Sequence, residues 1–359
     1  MSSRKKTSTR VTILDVARKS GFSASTVSIV LNEAPLSRYV AARTKEHIRK
    51  TAKALGYRPD AFARSLRSRR SHTIGVMIFD ISDPFCTLIL RGIEKTLHAA
   101  DYLPIIMNAN NDRRQFENYL RMLLDRRVEG LVVVANWLFA ETDLLADMEN
   151  HKIPTVVIGR DLTKSGISSV LVDNAAGAYQ ALEHLYQLGH RKIAFIRGPE
   201  SLHDNVNRWR GIEQFTVSHG WRIDPKLVRQ LPEMRDAASG FDGGIALTRE
   251  LLLSRRKFTA LMAFDDLTAL GALRALKDAG VQVPDDCSVI GFDGVPPAAL
   301  STPAITTICQ PMEEMGAIGT EWILKALEKD ESHLGNEPDL KLLPPSLLVR
   351  GSTRQYKQS

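Results

Sequence analysis

Two blocks of apolar residues at helical spacing occupy residues 11–32 and are separated by Gly21. Val16 marks the inward face of the first block, and Val27 and Val30 mark that of the second. Apolar residues at intervals of three and four predict amphipathic helices, and a glycine between two such helices is typical of a helix-turn-helix. The pattern therefore predicts two short helices joined by a tight turn.

Polar residues predict where the two helices begin. Thr12 and Asp15 have the spacing of a capping box, and Ser23 suits the N-cap of the second helix. The residues opposite the apolar face of this second helix would enter a DNA major groove. We expect these to be Ala24, Ser25, Ser28 and Ile29. A helical hairpin within some larger fold is the alternative, because the same pattern occurs in unrelated helical proteins.

A third helix and a basic segment follow. Apolar spacing predicts a helix over about residues 43–55, which Gly56 ends. In residues 57–71, Ala63 and Leu66 share one side of a short helix that is otherwise surrounded by arginines. Such a leucine suits a wedge in a widened minor groove, with the arginines on phosphates. An unstructured basic linker is the alternative.

Charge separates this part of the chain from the rest. The first 72 residues carry a net charge of +13 and the remaining residues carry −6, within a total of +7. A basic segment attached to a mildly acidic remainder is typical of a protein that binds nucleic acid. This observation favours DNA binding over the hairpin alternative.

From residue 73 onwards, short apolar runs alternate with longer amphipathic stretches. Strand-like runs such as 73–79, 130–134, 192–196 and 260–264 alternate with helical stretches such as 85–100. This alternation predicts parallel sheets with helices on both faces, and the length suffices for two such lobes. In this α/β fold class ligands bind at the carboxyl ends of the strands, so we expect a ligand site in the loops that follow them.

Composition narrows the function classes. Cys86, Cys287 and Cys309 have no paired spacing, which favours a reducing, cytoplasmic compartment over a disulfide framework. No apolar run is long enough to span a membrane, and no secretory signal follows the basic N-terminus. No zinc, phosphate-loop or nucleophile-elbow motif occurs, so we expect no cofactor, no metal and no enzymatic activity.

The stretches VTILDVARKSGFSASTVSIVLN and GYRPDAFARSLRSRRSHTIGV carry a resemblance to a known family. Together with DISDPF, RRVEGLVVV, LGHRKIAFIRGP and VPDDCSVIGFDG, they resemble the lac repressor family (LacI/GalR) of bacterial transcription regulators, over essentially residues 11–350. The combination is very specific. The resemblance implies an all-α helix-turn-helix domain and a bilobed α/β part like a periplasmic binding protein, with two parallel-sheet lobes and the effector between them.

The resemblance also implies a division of the chain. We place the helix-turn-helix domain at residues 1–58 and a hinge helix at 59–72. The chain of this family crosses between the lobes three times, and we place the crossings near Asp173, Gln310 and Pro338. The two lobes then comprise residues 73–172 with 311–337, and residues 173–310 with 338–356.

For DNA binding, the resemblance implies contacts from the first two helices, the end of the third and the hinge. The residues matched are Thr12, Ser23, Ala24, Ser25, Thr26, Ser28, Ile29, Asn32, Tyr57, Ala63, Leu66 and Arg67. Relatives usually carry an arginine at position 29. Ile29 offers no hydrogen bond but can contact a thymine methyl group. We therefore expect specificity to depend more on the hinge, on DNA shape and on thymine-rich half-sites.

For effector binding, the resemblance implies side chains in the loops that follow strands. The residues matched are Asp83, Phe85, Arg160, Arg208, Arg235, Asp265 and Asp293. The alternatives are core packing for Phe85 and a solvated position on a first helical turn for Arg208. We expect Asp265 to hydrogen-bond the effector and Asp266 to cap the following helix.

The three arginines of this set predict an anionic effector, such as a sugar acid or sugar phosphate, because guanidinium groups pair well with carboxylate and phosphate. The alternative is that Arg160 and Arg235 pair with Asp161 and Asp236, their neighbours in the chain, or point to water.

The sequence as a whole predicts a ligand-responsive repressor that binds a pseudo-palindromic operator in double-stranded DNA as a homodimer. Its small-molecule effector would be a sugar or sugar derivative. Two other classes compete. The lobes alone would fit a solute-binding protein of a transport system, but the +13 charge of the first 72 residues argues against it. An enzyme acting on a sugar would need a catalytic set, which the sequence does not supply.

Overall fold

A computed structural model shows how the chain folds. It describes residues 11–57, 70–134, 153–233, 236, 238–328 and 338–356. The chain forms two compact units, Met1–Ser71 and His72–Ser359, which we call the head and the body.

Three α-helices close around a small core in the head. α1 spans Ile13–Ser20, α2 spans Ala24–Leu31 and α3 spans Ala42–Leu55. The side chains buried between them are Val16, Ala17, Val27, Val30, Ile48 and Ala52. The amphipathic spacing of the sequence thus supplies the face on which each helix packs.

Capping groups set the boundaries of the first two helices. Thr12 is the N-cap of α1 and forms a complete capping box with Asp15, as predicted. Gly21 ends α1 in the left-handed conformation (φ 75°), which glycine adopts without steric cost. Ser23 caps α2, and its hydroxyl accepts the Thr26 N–H at 3.1 Å.

Ser28 does not face outward as expected. Its side chain is buried, and its hydroxyl accepts a hydrogen bond from the Asn32 amide at 3.1 Å. Ser28 is four residues after Ala24 and three before Leu31, so all three share one helical face. Because Ala24 and Leu31 pack against the core of the head, that face is inward. The prediction that Ser28 and Ala24 face outward was wrong.

The body contains two six-stranded sheets, and each forms the centre of one lobe. The N-lobe sheet has the order β11-β5-β4-β3-β1-β2 and is parallel throughout. Its strands are β1 (Thr73–Ile78), β2 (Leu103–Asn108), β3 (Gly130–Val134), β4 (Thr155–Ile158), β5 (Ser168–Val172) and β11 (Leu340–Leu343).

The C-lobe sheet has the order β12-β10-β9-β8-β6-β7, and only β12 runs antiparallel to its neighbour. Its strands are β6 (Ile193–Arg197), β7 (Val228–Gln230), β8 (Ala260–Ala263), β9 (Ser288–Asp293), β10 (Thr306–Cys309) and β12 (Ser346–Leu348). These two sheets confirm the predicted α/β class with two parallel-sheet lobes.

Helices follow most strands, as the alternation of the sequence predicts. Those of the N-lobe are α4 (Pro84–Ala99), α5 (Arg113–Asp125) and α11 (Met312–Glu328). Those of the C-lobe are α6 (Asn174–Gln187), α7 (His203–Ser218), α8 (Ala238–Leu253), α9 (Asp266–Asp278) and α10 (Pro296–Leu300).

The chain passes between the two sheets after β5, after β10 and after β11. The third passage was predicted near Pro338, which would assign residues 340–343 to the C-lobe. Instead β11 pairs with β5 of the N-lobe sheet, so this assignment was wrong. Pro344 and Pro345 end β11, because proline has no N–H to continue a ladder, and the passage to the C-lobe lies there.

Candidate DNA interface and effector site

The start of α2 presents small, polar side chains. Ser23 and Ser25 are exposed, whereas Ala24, Thr26 and Ile29 are half-buried. The hydroxyls of Ser23 and Thr26 are hydrogen-bonded to each other at 2.8 Å, which fixes their orientation. A helix start lined by small side chains can approach the floor of a major groove closely.

The other matched DNA-binding residues of the head lie at helix ends. Thr12 is exposed before α1, and Asn32 is exposed after α2, where its amide donates to the Ser28 carbonyl at 2.9 Å. Tyr57 is half-buried after α3. The hinge residues of the prediction lie outside the described part of the chain; they are Ala63, Leu66 and Arg67.

Arg208 is the centre of a buried polar network in the C-lobe. It lies on the second turn of α7 and not on the first as predicted, because α7 begins at His203. Its Nε donates to Asn174 Oδ1 at 2.8 Å, and its Nη1 donates to the Phe264 carbonyl. The guanidinium carbon lies 3.7 Å from the centre of the Phe292 ring. The alternative of a solvated arginine is therefore wrong.

Close packing of α7 on α6 brings Arg208 to Asn174. Asn174 is the first residue of α6, and a Cβ at Gly211 in α7 would lie 2.0 Å from the Ala175 carbonyl oxygen. Glycine at this position therefore permits the two backbones to touch. Asn174 also donates to Asp204 Oδ1 at 3.0 Å, so its amide joins an acidic side chain to the arginine.

Asp293 is the acidic partner of Arg208. It ends β9 with φ at 109°, a strained value for a residue with a side chain and one that is frequent at functional sites. Its Oδ1 accepts from Arg208 Nη2 at 3.2 Å and from Gln310 Nε2 at 2.6 Å. Burial raises the pKa of Asp293 well above its ordinary value, and the charge of Arg208 opposes this rise.

Of the adjacent aspartates 265 and 266, the first and not the second caps the following helix. Asp265 is the N-cap of α9, and its Oδ1 accepts the Thr268 N–H at 2.7 Å. Asp266 is fully buried and accepts two backbone N–H groups of the loop after β9 and the Thr307 hydroxyl. The prediction that Asp266 caps the helix was wrong, because α9 begins at Asp266 and the cap precedes it. Burial raises the pKa of Asp266 to about 7.

Asp83 and Phe85 lie at the carboxyl end of β1. Asp83 is the N-cap of α4 and accepts the Phe85 N–H at 2.8 Å. Burial, together with the charges of Asp265 and Asp80, raises the pKa of Asp83 to about 7. Since Asp265 belongs to the C-lobe, the loops after β1 and β8 lie within electrostatic reach of each other. Phe85 is half-buried and packs against the apolar core.

The remaining arginines of the prediction lie differently. Arg160 is half-buried directly after β4, and burial lowers its pKa. Among the residues the structure describes, it forms no ion pair, and Asp161 accepts instead from the Thr163 N–H and hydroxyl at 2.9 and 2.6 Å. The pairing alternative for Arg160 is therefore wrong. Arg235 lies outside the described residues.

No role in this network was predicted from the sequence for three polar residues, Asn174, Asp204 and Gln310. Of these, only Gln310 was named, as the place of a crossing between the lobes. A signal was available. Asn174 and Gln310 flank the first two passages between the lobes, where a polar side chain necessarily lies near the carboxyl ends of the strands.

In the described ranges, no cluster of three or more His, Cys, Asp or Glu side chains is arranged to hold a metal ion. No helix in these ranges combines the length and the apolar character needed to cross a membrane.

Comparison with known proteins identifies the family. Bacterial regulatory proteins of the lacI family match residues 12–60, and the periplasmic binding protein-like domain matches residues 182–353. The transcriptional repressor CytR of Escherichia coli is 31% identical over 98% of this chain and 98% of its own length. The chain belongs to the lacI family. A second lacI-family relative, the transcriptional regulator RegA of Clostridium saccharobutylicum, is 35% identical over 95% of this chain and 98% of its own.

Solved structures agree with the lacI-family assignment. The lac repressor dimer bound to operator and the anti-inducer ONPF superimposes with a TM-score of 0.82 at 26% identity, covering 96% of this chain and 99% of that one. The regulator CelR in complex with cellobiose gives 0.66 at 28% identity, covering 96% and 100%. This lacI-family protein is a DNA-binding transcription regulator with an effector-binding domain, and the relatives it matches are regulators.

The raised pKa of Asp83 makes body stability depend on pH. Ionising this carboxyl is unfavourable in the folded body. The protonated carboxyl therefore contributes fully to the free energy of unfolding below about pH 4, and this contribution is lost as the pH rises to about 7. Asp83→Asn keeps the cap and removes the titration. We expect a flatter profile of body unfolding temperature between pH 4 and 7 and a higher temperature at pH 8, by about 2–4 °C per kcal/mol gained.

Asp112→Asn is the matched control for this pH prediction, measured by scanning calorimetry. Asp112 is likewise an N-cap, of α5, but it is exposed, and its Oδ1 accepts the Gln115 N–H at 2.9 Å. Its replacement should leave the shape of the profile unchanged. A profile that is equally steep in the wild type and in Asp83→Asn would contradict the prediction.

Proposed function

We propose that the protein is a homodimeric repressor that binds a pseudo-palindromic operator, and that a neutral sugar bound between the lobes controls its affinity. The observation that carries the effector part is the buried Arg208–Asp293 pair at the carboxyl ends of the C-lobe strands. A paired donor and acceptor in one place suit hydroxyl groups, which donate and accept. Cellobiose in the CelR complex agrees with this class of ligand.

The charge balance favours a neutral effector over the anionic one predicted from the sequence. Arg208 is already paired with Asp293, and Asp204 is also bonded into its network. Asp83 and Asp265 add two more carboxyl groups close to each other. Because its charge is already paired with Asp293, Arg208 has little surplus positive charge for a carboxylate or phosphate of the ligand.

On DNA, the start of α2 would lie in the major groove, with Ser25 and Ile29 towards the bases. The hydroxyls of Ser23 and Thr26 would hold phosphates, together with Thr12, Asn32 and Tyr57 at the helix ends. From the sequence, Leu66 would wedge the central minor-groove step, flanked by Ala63 and Arg67. Two heads related by dimer symmetry would then match the symmetry of the operator.

An exposed strand edge supports dimerisation through the N-lobe. β2 is an outer strand of its sheet, and Leu103 and Ile106 on it are 69% and 44% exposed. Large apolar side chains on an open sheet edge are unfavourable in water unless another surface covers them. The lac repressor structure it resembles is a dimer.

Action on chromosomal DNA would place the protein in the cytoplasm.

Hydrogen bonds would connect the effector site to the passages between the lobes. Arg208 bonds Asn174 directly beside the first passage, and Asp293 bonds Gln310 at the second. A sugar hydroxyl that inserts between Arg208 and Asp293 must rearrange both bonds. Such a change would alter the angle between the lobes and thereby the geometry of the dimer, which is a coupling between two sites.

Selection of bound sites from random DNA by the purified full-length protein tests this function. We expect a pseudo-palindromic motif, whose enrichment falls sharply in Leu66→Ala. Repeating the selection with a panel of neutral sugars and sugar acids should change the enrichment with a neutral sugar. No motif under any condition would contradict the regulator function and favour a solute-binding protein. A response to sugar acids alone would support the anionic effector.

Ile29→Arg should change the selected half-site. Ile29 is half-buried on α2, and an arginine there can reach guanine with two hydrogen bonds. We expect a guanine to be enriched at one half-site position, with a discrimination of about 1–3 kcal/mol. Leu36→Arg is the control, because Leu36 is exposed in the turn after α2 and not on the helix itself, and the same charge is added. An identical motif for wild type and Ile29→Arg would refute direct readout from position 29.

A further inference from the structure

A small cavity adjoins Arg208 beneath α7. Its volume is about 20 Å³, which is space for one water-sized group. Aromatic side chains form much of its wall, and three polar side chains reach it: Arg197, Asn205 and Arg208. Arg208 belongs to the network described above, whereas Arg197 and Asn205 take no part in it.

Asn205 reaches this cavity without a partner. The residue is 3% exposed, and within the described part of the chain its side-chain amide makes no hydrogen bond. A ligand group or a bound water that enters the cavity can therefore hydrogen-bond this amide.

Arg197 supplies a second unpaired group. It ends β6, and its Nε is buried without a hydrogen-bond partner. The guanidinium lies 4.3 Å from the centre of the Trp209 ring, which holds it in place by a cation–π contact. The lining of the cavity therefore includes a fixed donor and an amide, which can donate or accept.

We propose that Arg197, Asn205 and Trp209 form a second compartment of the effector site, and that it takes the hydroxymethyl group of a sugar. This inference rests on the proposed function, because it assumes a sugar bound at Arg208. The hydroxyl would accept from Arg197 Nε and donate to Asn205 Oδ1, while its methylene would contact the aromatic wall. Both unpaired groups would then be satisfied by one ligand group.

Hydrogen-bonding capacity separates this group from the alternatives. A carboxylate has no proton to donate, so it would leave the amide oxygen unpaired. A methyl group would fit but would satisfy neither polar side chain. A hydroxyl on a single carbon meets both requirements, and the compartment therefore selects hexopyranoses over pentopyranoses, which lack the hydroxymethyl group.

Calorimetry on the full-length protein with matched sugar pairs tests the compartment. The pairs are D-glucose with D-xylose, D-galactose with L-arabinose, and D-allose with D-ribose. We expect one hexose to bind at least about tenfold more tightly than its pentose partner. Because a site that pairs a hydroxyl discriminates strongly against an analogue without it, Asn205→Leu should remove this preference. Its affinity for the pentose should remain.

Two further variants make the result specific. Asn207→Leu carries the same substitution on the same helix, but Asn207 bonds exposed Arg210 at 2.7 Å, so the preference should be unchanged. Arg197→Met keeps the stem over Trp209 and removes Nε, so it should lower the preference even if Asn205→Leu fails to fold. Equal affinities for the two members of each pair would overturn the compartment alone. If none of the six sugars bound, both the compartment and the proposal of a sugar effector would be overturned. Operator selection measures DNA binding independently of this outcome.

Discussion

Arg208→Met is expected to lower the affinity for the sugar effector by about 100-fold or more and to abolish the effect of the sugar on operator binding. A 100-fold loss corresponds to about 2.7 kcal/mol. The guanidinium donates to Asn174, to the Phe264 carbonyl and to Asp293, and a methionine replaces none of these bonds. The ligand would lose its donor, and Asp293 would lose the charge that opposes its protonation.

Body stability should fall in the same variant. Removing one partner of a buried ion pair costs about 3–5 kcal/mol, because the other charge is left buried. The pKa of Asp293, already raised by burial, would rise further without Arg208. Protonation relieves the unpaired charge, so the loss of stability should be smaller at pH 5 than at pH 8. Calorimetric scans at the two pH values check this.

Arg210→Met is the control for both measurements. Arg210 lies two residues later on α7 and is exposed, where it donates to Asn207 at 2.7 Å. Its loss should leave ligand affinity and body stability nearly unchanged. Arg208→Lys should be intermediate, since an ammonium keeps the charge but lacks the planar fork that serves three acceptors. Wild-type affinity in Arg208→Met would remove this residue from the effector site.

The fold was predictable where local pattern and packing agree. Strands such as Gly130–Val134 are buried on both faces, and their uninterrupted run of apolar residues predicts this burial. β5 gives a weaker sequence signal because it begins with Ser168 and Ser169, which are fully buried yet polar. The Ser168 hydroxyl is satisfied by a partner that is distant in sequence: it accepts the Asp339 N–H at 3.0 Å. Such pairing depends on the tertiary structure and leaves no periodic signal.

The candidate site was predictable in its residue types but not in its connections. The resemblance matched Arg208 and Asp293, and the structure brings them together at 3.2 Å. It did not reveal that Asp265, and not Asp266, caps α9, because two adjacent acids offer the same capping group and only the backbone decides between them. Arg197 and Asn205 were also missed. Neither belongs to a motif, and only the cavity shows that they lie together.

Ile48→Ala is expected to unfold the head and to leave the body folded and able to bind the effector. Ile48 is fully buried between α1 and α2 and is the largest buried side chain of the head. Truncating a buried isoleucine costs about 2–5 kcal/mol. A core built from Val16, Val27, Val30 and two alanines gives a small domain little stability to lose. The loss should therefore exceed the stability of the head.

Two readouts separate the units in this variant. Sequence-specific DNA binding, measured by fluorescence anisotropy, should be lost, whereas calorimetric titration of the sugar should give the wild-type affinity, because the body has its own core. Leu14→Ala is the control: Leu14 lies on α1 but is 60% exposed, so its truncation should change head stability by no more than about 0.5 kcal/mol. If Ile48→Ala abolished sugar binding as well, the head and the body could not be independent folding units, and the assignment of DNA and effector recognition to separate cores would fail.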